Sequence, residues 1–373
     1  MRLEVVHESA YVHKVRLIVN EEPVSWLTIV DFPMRIGSSA VLMGGIAGVY
    51  TKKEHRMKGY ASKVLRHAIK WMSERRYPLS ALFGIPNFYH KFGYAVFMGE
   101  HTLSIMVRDL EGARMHYAIE RLDEADQKTL RSVIDIYNEN NRERSGTIVR
   151  DPSRWKGFPK GLRWDHRPLA YTVLRDDEVV GYFAYDPWQF GETLNVAEIG
   201  AREHDYKVYE TMSAYLAREG VKGRYASITF YLPCDHPFTR FAMRYGYVMK
   251  SHYPRRAHGM ARIIDLRALF EGLRPELERR LMRARGEYDM SVALETDIGS
   301  VTLKVRGCSV EVSEEEANYK LKMRQEALTQ LILGYRDIGD LLYDEVKADT
   351  EALPLMDALF PRGVPYVWQP DRW

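Results

Sequence analysis

A short aromatic pattern occurs twice in the sequence. Residues 88–94 read FYHKFGY and residues 241–247 read FAMRYGY, so each begins with phenylalanine and ends with an aromatic residue, glycine and tyrosine. Each also follows a predicted strand and a proline, Pro86 in the first case and Pro237 in the second. A pattern that recurs in the same local context indicates two diverged copies of one fold, although chance could also produce so short a match.

The hydrophobic pattern divides the chain into three predicted domains, at 1–115, 116–285 and 286–373. A chain of 373 residues is too long for one ordinary core, which agrees with this division. The fold class expected is mixed α+β and α/β, with two related mixed-sheet domains followed by a small α+β domain. Period-2 and helical patterns predict the following elements. In the first domain they are strands at 11–19, 25–32, 41–51 and 78–83 and a helix at 59–75; in the second, strands at 116–121, 169–175, 179–186 and 194–201 and a helix at 123–141; in the third, alternating strands from 291 and helices at 326–333 and 353–360.

The composition argues against several classes of function. Lys+Arg number 54 and Asp+Glu 51, a net charge of +3, so no nucleic-acid partner is expected. The two cysteines, Cys234 and Cys308, are far apart and have no metal-type spacing, which fits a reducing cytoplasm and predicts neither disulfides nor a metal site. No run approaches 18 apolar residues, so no membrane association is expected.

A basic turn that contains glycine joins the strand at 41–51 to the following helix. Residues 52–62 read KKEHRMKGYAS. The free N–H groups and the dipole at a helix N-terminus favour a phosphate group, and Gly59 would let the backbone approach it closely. Taken alone, such a turn is more simply a solvated loop.

The turn resembles the pyrophosphate signature Arg/Gln-x-x-Gly-x-Gly/Ala of the GNAT acetyltransferase superfamily, through Arg56, Gly59 and Ala61. The resemblance implies acetyl-CoA as co-substrate, with no metal. It assigns cofactor binding to the strand end and the turn, namely Val49, Tyr50, Thr51, Arg56, Met57, Lys58, Gly59, Tyr60, Ala61 and Ser62, together with Asn87. The corresponding segment of the second copy, 202–208, has no glycine and two acids, so that copy is not expected to bind CoA.

Tyr89 matches the tyrosine that protonates the departing CoA thiolate in GNAT enzymes. A phenol with a pKa of about 10 is protonated at neutral pH and can donate to a thiolate whose conjugate acid has a pKa of about 8.5. The alternative is that Tyr89, one of 24 tyrosines, only packs. The second copy has Ala242 at this position, so it lacks both the turn and the acid.

A base is also needed, because an alkylamine with a pKa of about 10.4 is almost fully protonated at neutral pH. His55 and His90 are nearby candidates, and either could be an ordinary surface histidine. The order of active GNAT domain, degenerate GNAT domain and sterol-carrier-like domain resembles the enhanced intracellular survival (Eis) family. That resemblance implies that the terminal carboxylate, here of Trp373, is the base; the alternative is a frayed tail.

The match is weaker on the acceptor side. About 40 residues precede the strand at 41–51, so the helices that usually shape the acceptor pocket are expected to be missing or replaced. The acceptor expected from the resemblance is a small-molecule amine, aminoglycoside-like or a polyamine; a protein lysine or a non-catalytic CoA-responsive scaffold stays open. Trp26, Phe32 and Tyr94 could line the acceptor site or belong to the core, and Leu328, Leu331, Ile332 and Leu333 are expected to be core. The resemblance also implies a homo-oligomer, which in that family is commonly a hexamer.

Overall fold

The structure is a computed structural model that describes residues 1–190, 192–343 and 345–373. It contains two seven-stranded sheets and one five-stranded sheet, each mixing parallel and antiparallel pairs. The expected mixed architecture with three sheets is therefore confirmed. None of the helices in the described ranges is both long and apolar enough to cross a membrane.

The first part of the chain forms four long strands, one helix and two short strands. These are β1 (Arg2–Ser9), β2 (Val12–Val19), β3 (Glu22–Ile36), β4 (Ser39–Thr51), α1 (Tyr60–Glu74), β5 (Leu79–Gly84) and β6 (Ala95–Val96). Helix α1 buries one apolar stripe that includes Val64, Leu65 and Ala68, and this stripe covers one face of the sheet. Residues 1–59 contain no α-helix, as the sequence predicted for the acceptor side.

The second part repeats the pattern of strands around a central helix. Its elements are β7 (Glu100–Met106), β8 (Ala118–Arg121), α2 (Gln127–Asn140), β9 (Leu169–Arg175), β10 (Glu178–Phe190), β11 (Thr193–Ala201), α3 (Tyr206–Lys222), β12 (Ser227–Tyr231), α4 (Phe238–Ala242), β13 (Val248–His252), β14 (His258–Ile263) and α5 (Leu266–Ala284). Helix α2 begins at Asp126, whose side chain accepts a hydrogen bond from the backbone N–H of Lys128.

The third part is a five-stranded sheet with three short helices. It consists of β15 (Asp289–Thr296), β16 (Gly299–Arg306), β17 (Ser309–Ser313), β18 (Tyr319–Met323), α6 (Gln325–Leu333), α7 (Ile338–Leu342), β19 (Val346–Ala348) and α8 (Leu353–Leu359). The apolar residues of α6 are at most 1% exposed, which confirms that Leu328, Leu331, Ile332 and Leu333 are core residues.

The two large sheets exchange strands. The first has the order β1-β2-β3-β4-β5-β14-β6, and the second has the order β13-β7-β12-β11-β10-β9-β8. Strand β14 therefore lies between β5 and β6, with Met260 opposite both Leu82 and Val96, and β7 lies between β12 and β13. Hydrogen bonding between such distant strands leaves no local mark in the sequence.

Candidate active site

Strands β4 and β5 diverge in the middle of the first sheet. They pair in parallel only from Met43 opposite Leu79 to Ile46 opposite Leu82, although β4 continues to Thr51. A bulge beyond Ala47, with Gly48 at φ +56°, bends β4 at this point. The end of β4 is thus unpaired on its β5 side in the described part of the sheet, and an extended ligand could pair with it.

The predicted residues Val49, Tyr50 and Thr51 lie on this free stretch. Their other side is held by β3: the Ser25 hydroxyl donates to the Tyr50 carbonyl at 3.0 Å, and the Tyr50 ring packs on Trp26 at 4.8 Å between centroids. Trp26, which the sequence suggested for the acceptor site or the core, therefore supports the end of β4.

The basic turn leads into the N-terminus of α1, as predicted. Met57 and Gly59 have φ values of +61° and +73°, and α1 begins at Tyr60 with no side-chain cap and no acid in its first turn. The first intrahelical N–H is that of Lys63, which donates to the Gly59 carbonyl. The amides before it, at Tyr60, Ala61 and Ser62, point outward from the helix end and fit an anion.

Arg56, Met57 and Lys58 are exposed around this helix end, so two cations flank it. The Arg56 Nε donates to the Thr51 carbonyl at 3.2 Å, which ties the turn to the end of β4. Apart from its chain neighbours, no described residue has an atom within 4 Å of a Cβ built on Gly59, so the glycine is required for its positive φ rather than for close packing.

Tyr89 begins a 3-10 turn, Tyr89–Phe92, just after β5. Its side chain is 7% exposed and its ring lies on Gly84, the last residue of β5, where a Cβ would come within 2.5 Å. Within the described part of the chain no residue is hydrogen-bonded to the Tyr89 hydroxyl. Burial raises the pKa of the phenol above its ordinary value, so it stays protonated.

The other candidates near Tyr89 take different positions. Asn87 is exposed and has a φ of +60°, and its backbone N–H donates to the backbone carbonyl of Arg256. Tyr94 is core: it is 1% exposed and its hydroxyl lies 2.8 Å from Ser80 Oγ. Histidines 55 and 90 each have a buried Nδ1 that no described group bonds.

Trp373 lies on the face of the sheet opposite α1. Side chains alternate along β4, so Gly44 faces Met72 of α1 whereas Gly45 faces the Trp373 indole. The indole also packs on Phe32 and Phe83, each at 5.2 Å between centroids. The C-terminal residue thus lies beside the divergence of β4 and β5, and Tyr89 lies on the other face.

The segment leading to Trp373 is anchored, so the alternative of a frayed tail is wrong. Trp368 is 2% exposed and donates through Nε1 to Asn141 at 2.9 Å. Asp371 pairs with Arg150 at 3.0 Å, and Arg372 pairs with Glu100 at 2.8 Å.

The second sheet also diverges at the corresponding place, but its surroundings differ. Strands β11 and β12 pair only up to Val196 opposite Phe230, and Glu198, further along β11, forms a buried two-fold pair with Arg150 at 2.6 and 2.7 Å. The N-terminus of α3 is capped by the Asp205 carboxylate. Ala242 is fully buried. A carboxylate at the helix end disfavours a bound phosphate there.

Two cavities flank Trp373. The larger has a volume of about 340 Å³ and includes Phe32 and Asp371 in its wall; the smaller, of about 240 Å³, includes Phe83 and Gly84. Three residues line both: Lys160, Trp164 and Arg372. Sequence reasoning missed Lys160 and Trp164 because they lie in a long irregular loop with no motif. This loop and the C-terminal segment form walls of both cavities.

Comparison with known proteins defines the class. Residues 6–97 match the acetyltransferase (GNAT) domain family, and no curated protein matches the chain. The protein is therefore an acyltransferase with a GNAT domain, and the predicted resemblance is confirmed.

Solved structures share the whole architecture. A probable N-acyltransferase from Enterococcus faecalis has a TM-score of 0.77 and 18% identity, covering 98% of this chain and 90% of its own. A GCN5-related N-acetyltransferase from Kribbella flavida has a TM-score of 0.70 and 21% identity, with coverages of 97% and 87%. Eis1 from Mycobacterium abscessus has a TM-score of 0.66 and 18% identity, with coverages of 96% and 90%. The chain thus has an Eis-like fold.

Proposed function

We propose that the protein transfers the acetyl group of acetyl-CoA directly to a primary amine, with Tyr89 as general acid and the terminal carboxylate of Trp373 as general base. The observation that carries this proposal is the position of Tyr89 and Trp373 on opposite faces of one sheet, where β4 and β5 diverge. A thioester held in that opening would be accessible to the amine from the Trp373 side and to the acid from the other.

The residues present fit acetyl-CoA. The amides from Met57 to Ser62 and the cations of Arg56 and Lys58 would hold the pyrophosphate. The free edge of β4 at Val49, Tyr50 and Thr51 would pair with the pantetheine arm. Asn87, at the exposed end of the β5 loop, completes the proposed cofactor site.

The proton transfers follow from the positions of Tyr89 and Trp373. The base accepts a proton from the ammonium form of the acceptor, so that a neutral amine attacks the thioester carbonyl. The C–N bond forms and the C–S bond breaks, and the Tyr89 hydroxyl donates its proton to the leaving thiolate. The second proton that the nitrogen loses on becoming an amide returns to the Tyr89 phenolate through solvent, and the terminal carboxylate releases its own proton to solvent. The described residues contain no cluster of His, Cys, Asp or Glu that could hold a metal, and this direct route needs none.

The remaining parts of the proposal are expectations from the sequence. The cysteine content fits a cytoplasmic location, and the hydrophobic pattern gives domain limits of 1–115, 116–285 and 286–373. The family resemblance implies a homo-oligomer, commonly a hexamer in that family, a sterol-carrier-like shape for 286–373, and an aminoglycoside-like compound or a polyamine as acceptor; a protein lysine is the alternative.

Two variants test the roles. Tyr89→Phe should lower kcat by about 10²-fold or more with acetyl-CoA affinity retained. Addition of one alanine after Trp373 keeps the indole but moves the carboxylate, and should lower kcat similarly. Calorimetry measures the acetyl-CoA affinity, and amine-dependent thiol release measures kcat. Binding without any thiol release would instead support a CoA-responsive scaffold, and unchanged kcat in both variants would refute the assigned roles.

A further inference from the structure

Lys160 is a buried lysine that the mechanism above does not use. It is 8% exposed, and its Nζ lies 3.0 Å from the centroid of the Trp164 ring, an exposed residue at the mouth of the cavities. Among the described residues no side-chain carboxylate lies within ion-pair distance of this ammonium. A buried charge without an acidic partner is costly, so its retention on a cavity wall points to a ligand of opposite charge.

The loop that carries Lys160 is fixed rather than loose. The N–H of Leu162 donates to Asp186 at 2.8 Å, and the N–H of Gly161 donates to the His166 carbonyl at 3.1 Å. These two bonds are made by the two residues that follow Lys160 in the chain, and they hold Lys160 where the two cavities meet. The position is therefore set by the fold, which is what a binding group requires.

The neighbouring charges compensate Lys160 only in part. Arg150 and Arg372 already have acidic partners, in Glu198, Asp371 and Glu100. Burial and the positive charge of Arg372 lower the pKa of the Lys160 ammonium to about 7, although the negative charge of Asp371 opposes them. A bound anion would favour the charged ammonium and raise this pKa, and one ammonium matches a single negative charge better than a phosphate dianion.

We propose, resting on the function proposed above, that the acceptor is an aminocarboxylate and that Lys160 binds its carboxylate. Gly84, at the divergence of β4 and β5, and Lys160 line the same small cavity of about 240 Å³. One small molecule could thus place its carboxylate at Lys160 and its amine near the thioester. A polyamine would instead bring a second positive charge to Lys160.

The test compares acceptors that differ only in this charge. Phenylalanine and leucine are each compared with their carboxamides, and spermidine is added, in an assay of thiol release from acetyl-CoA. The intact protein should favour the amino acids over their carboxamides by at least about tenfold in kcat/KM, chiefly through KM, as for a charge-assisted hydrogen bond. Lys160→Met should abolish this preference and Lys160→Arg should retain part of it. The matched control is Lys156→Met, an exposed lysine of the same loop, which should keep it.

Equal rates for acids and carboxamides, a preference for spermidine, or a preference that survives in Lys160→Met would overturn the proposal. If acetyl-CoA binds but no amine releases thiol, the proposed function fails by itself. Calorimetry of N-acetylphenylalanine and its carboxamide with the CoA-loaded protein then tests carboxylate binding by Lys160. Binding of the acid that is lost in Lys160→Met supports this role, and equal binding of both compounds refutes it.

Discussion

The indole of Trp373 lies directly on the backbone of Gly45, where a Cβ would come within 2.8 Å of the indole atoms Cε2 and Nε1. The C-terminal residue can occupy this place only because position 45 of β4 has no side chain. Gly44 has the same function on the opposite face, where a Cβ would come within 2.4 Å of the sulfur of Met72. Two adjacent glycines thus let the central strand of the first sheet pack closely on both faces.

Gly45→Ala should displace Trp373 and lower kcat, by about a hundredfold if the terminal carboxylate moves by 1 Å. Acetyl-CoA affinity should be unchanged, because the basic turn follows the C-terminal end of β4 whereas Gly45 lies in the middle of the strand. Steady-state kinetics and calorimetry measure the two effects. Gly112→Ala is the matched control, since apart from its chain neighbours no described residue has an atom within 4 Å of a Cβ there. Equal kcat in both variants would show that the position of Trp373 does not matter.

Gly59→Val should weaken acetyl-CoA binding. A β-branched residue at φ +73° costs about 1–2 kcal/mol or more, so the turn is expected to change conformation and withdraw amides from the phosphate. The predicted loss of affinity is about tenfold, measured by calorimetry. Gly307→Val provides the control, because Gly307 has a φ of +57° and open space around it, but lies in the third part. If both variants lose affinity alike, the effect is general strain.

Deprotonation of Tyr89 should cause no loss of kcat/KM at pH values below about 10. Burial raises the pKa of Tyr89, and a group with a raised pKa stays protonated to a higher pH, so the acid remains competent as pH rises through its ordinary value. The measurement is kcat/KM against pH for the intact protein and for Tyr89→Phe. A decline below pH 10 that is present only in the intact protein would contradict this assignment.

Asp371→Asn should loosen the C-terminal segment. It removes a buried charge-assisted bond to Arg150, worth about 1.5–3 kcal/mol, while Arg150 keeps its pair with Glu198. We expect a lower melting temperature together with a lower kcat and normal acetyl-CoA affinity. Asp151→Asn is the comparison, since Asp151 is an exposed neighbour whose carboxylate bonds the backbone of Ser153. Equal effects of the two substitutions would exclude an anchoring role for Asp371.

Local patterns predicted the strand and the helix of the proposed cofactor site well. The helix predicted at 59–75 is observed at Tyr60–Glu74, and the strand predicted at 41–51 is observed at Ser39–Thr51. Both depend on residues that are neighbours in sequence, namely an apolar stripe with helical spacing and a glycine before it.

The cavities beside the C-terminal segment could not be predicted in the same way. Lys160 and Arg372 line the same cavities only through the packing of an irregular loop, and nothing near Lys160 in sequence distinguishes it from a surface lysine. Glu198 and Arg150 illustrate the same limit, because their pairing depends on a strand and a loop that are far apart in the chain. The family resemblance supplied the role of Trp373, and residue patterns alone would not have done so.

The exchange of β7 and β14 has a consequence for folding during translation. Strand β14 completes the first sheet between β5 and β6, so that sheet stays open until the ribosome has made β7 to β14. Contacts of such long sequence separation form slowly, and an unpaired strand edge is prone to aggregate. The GNAT domain, which would otherwise fold first, must therefore wait for residue 263, and the two parts emerge as one cooperative unit.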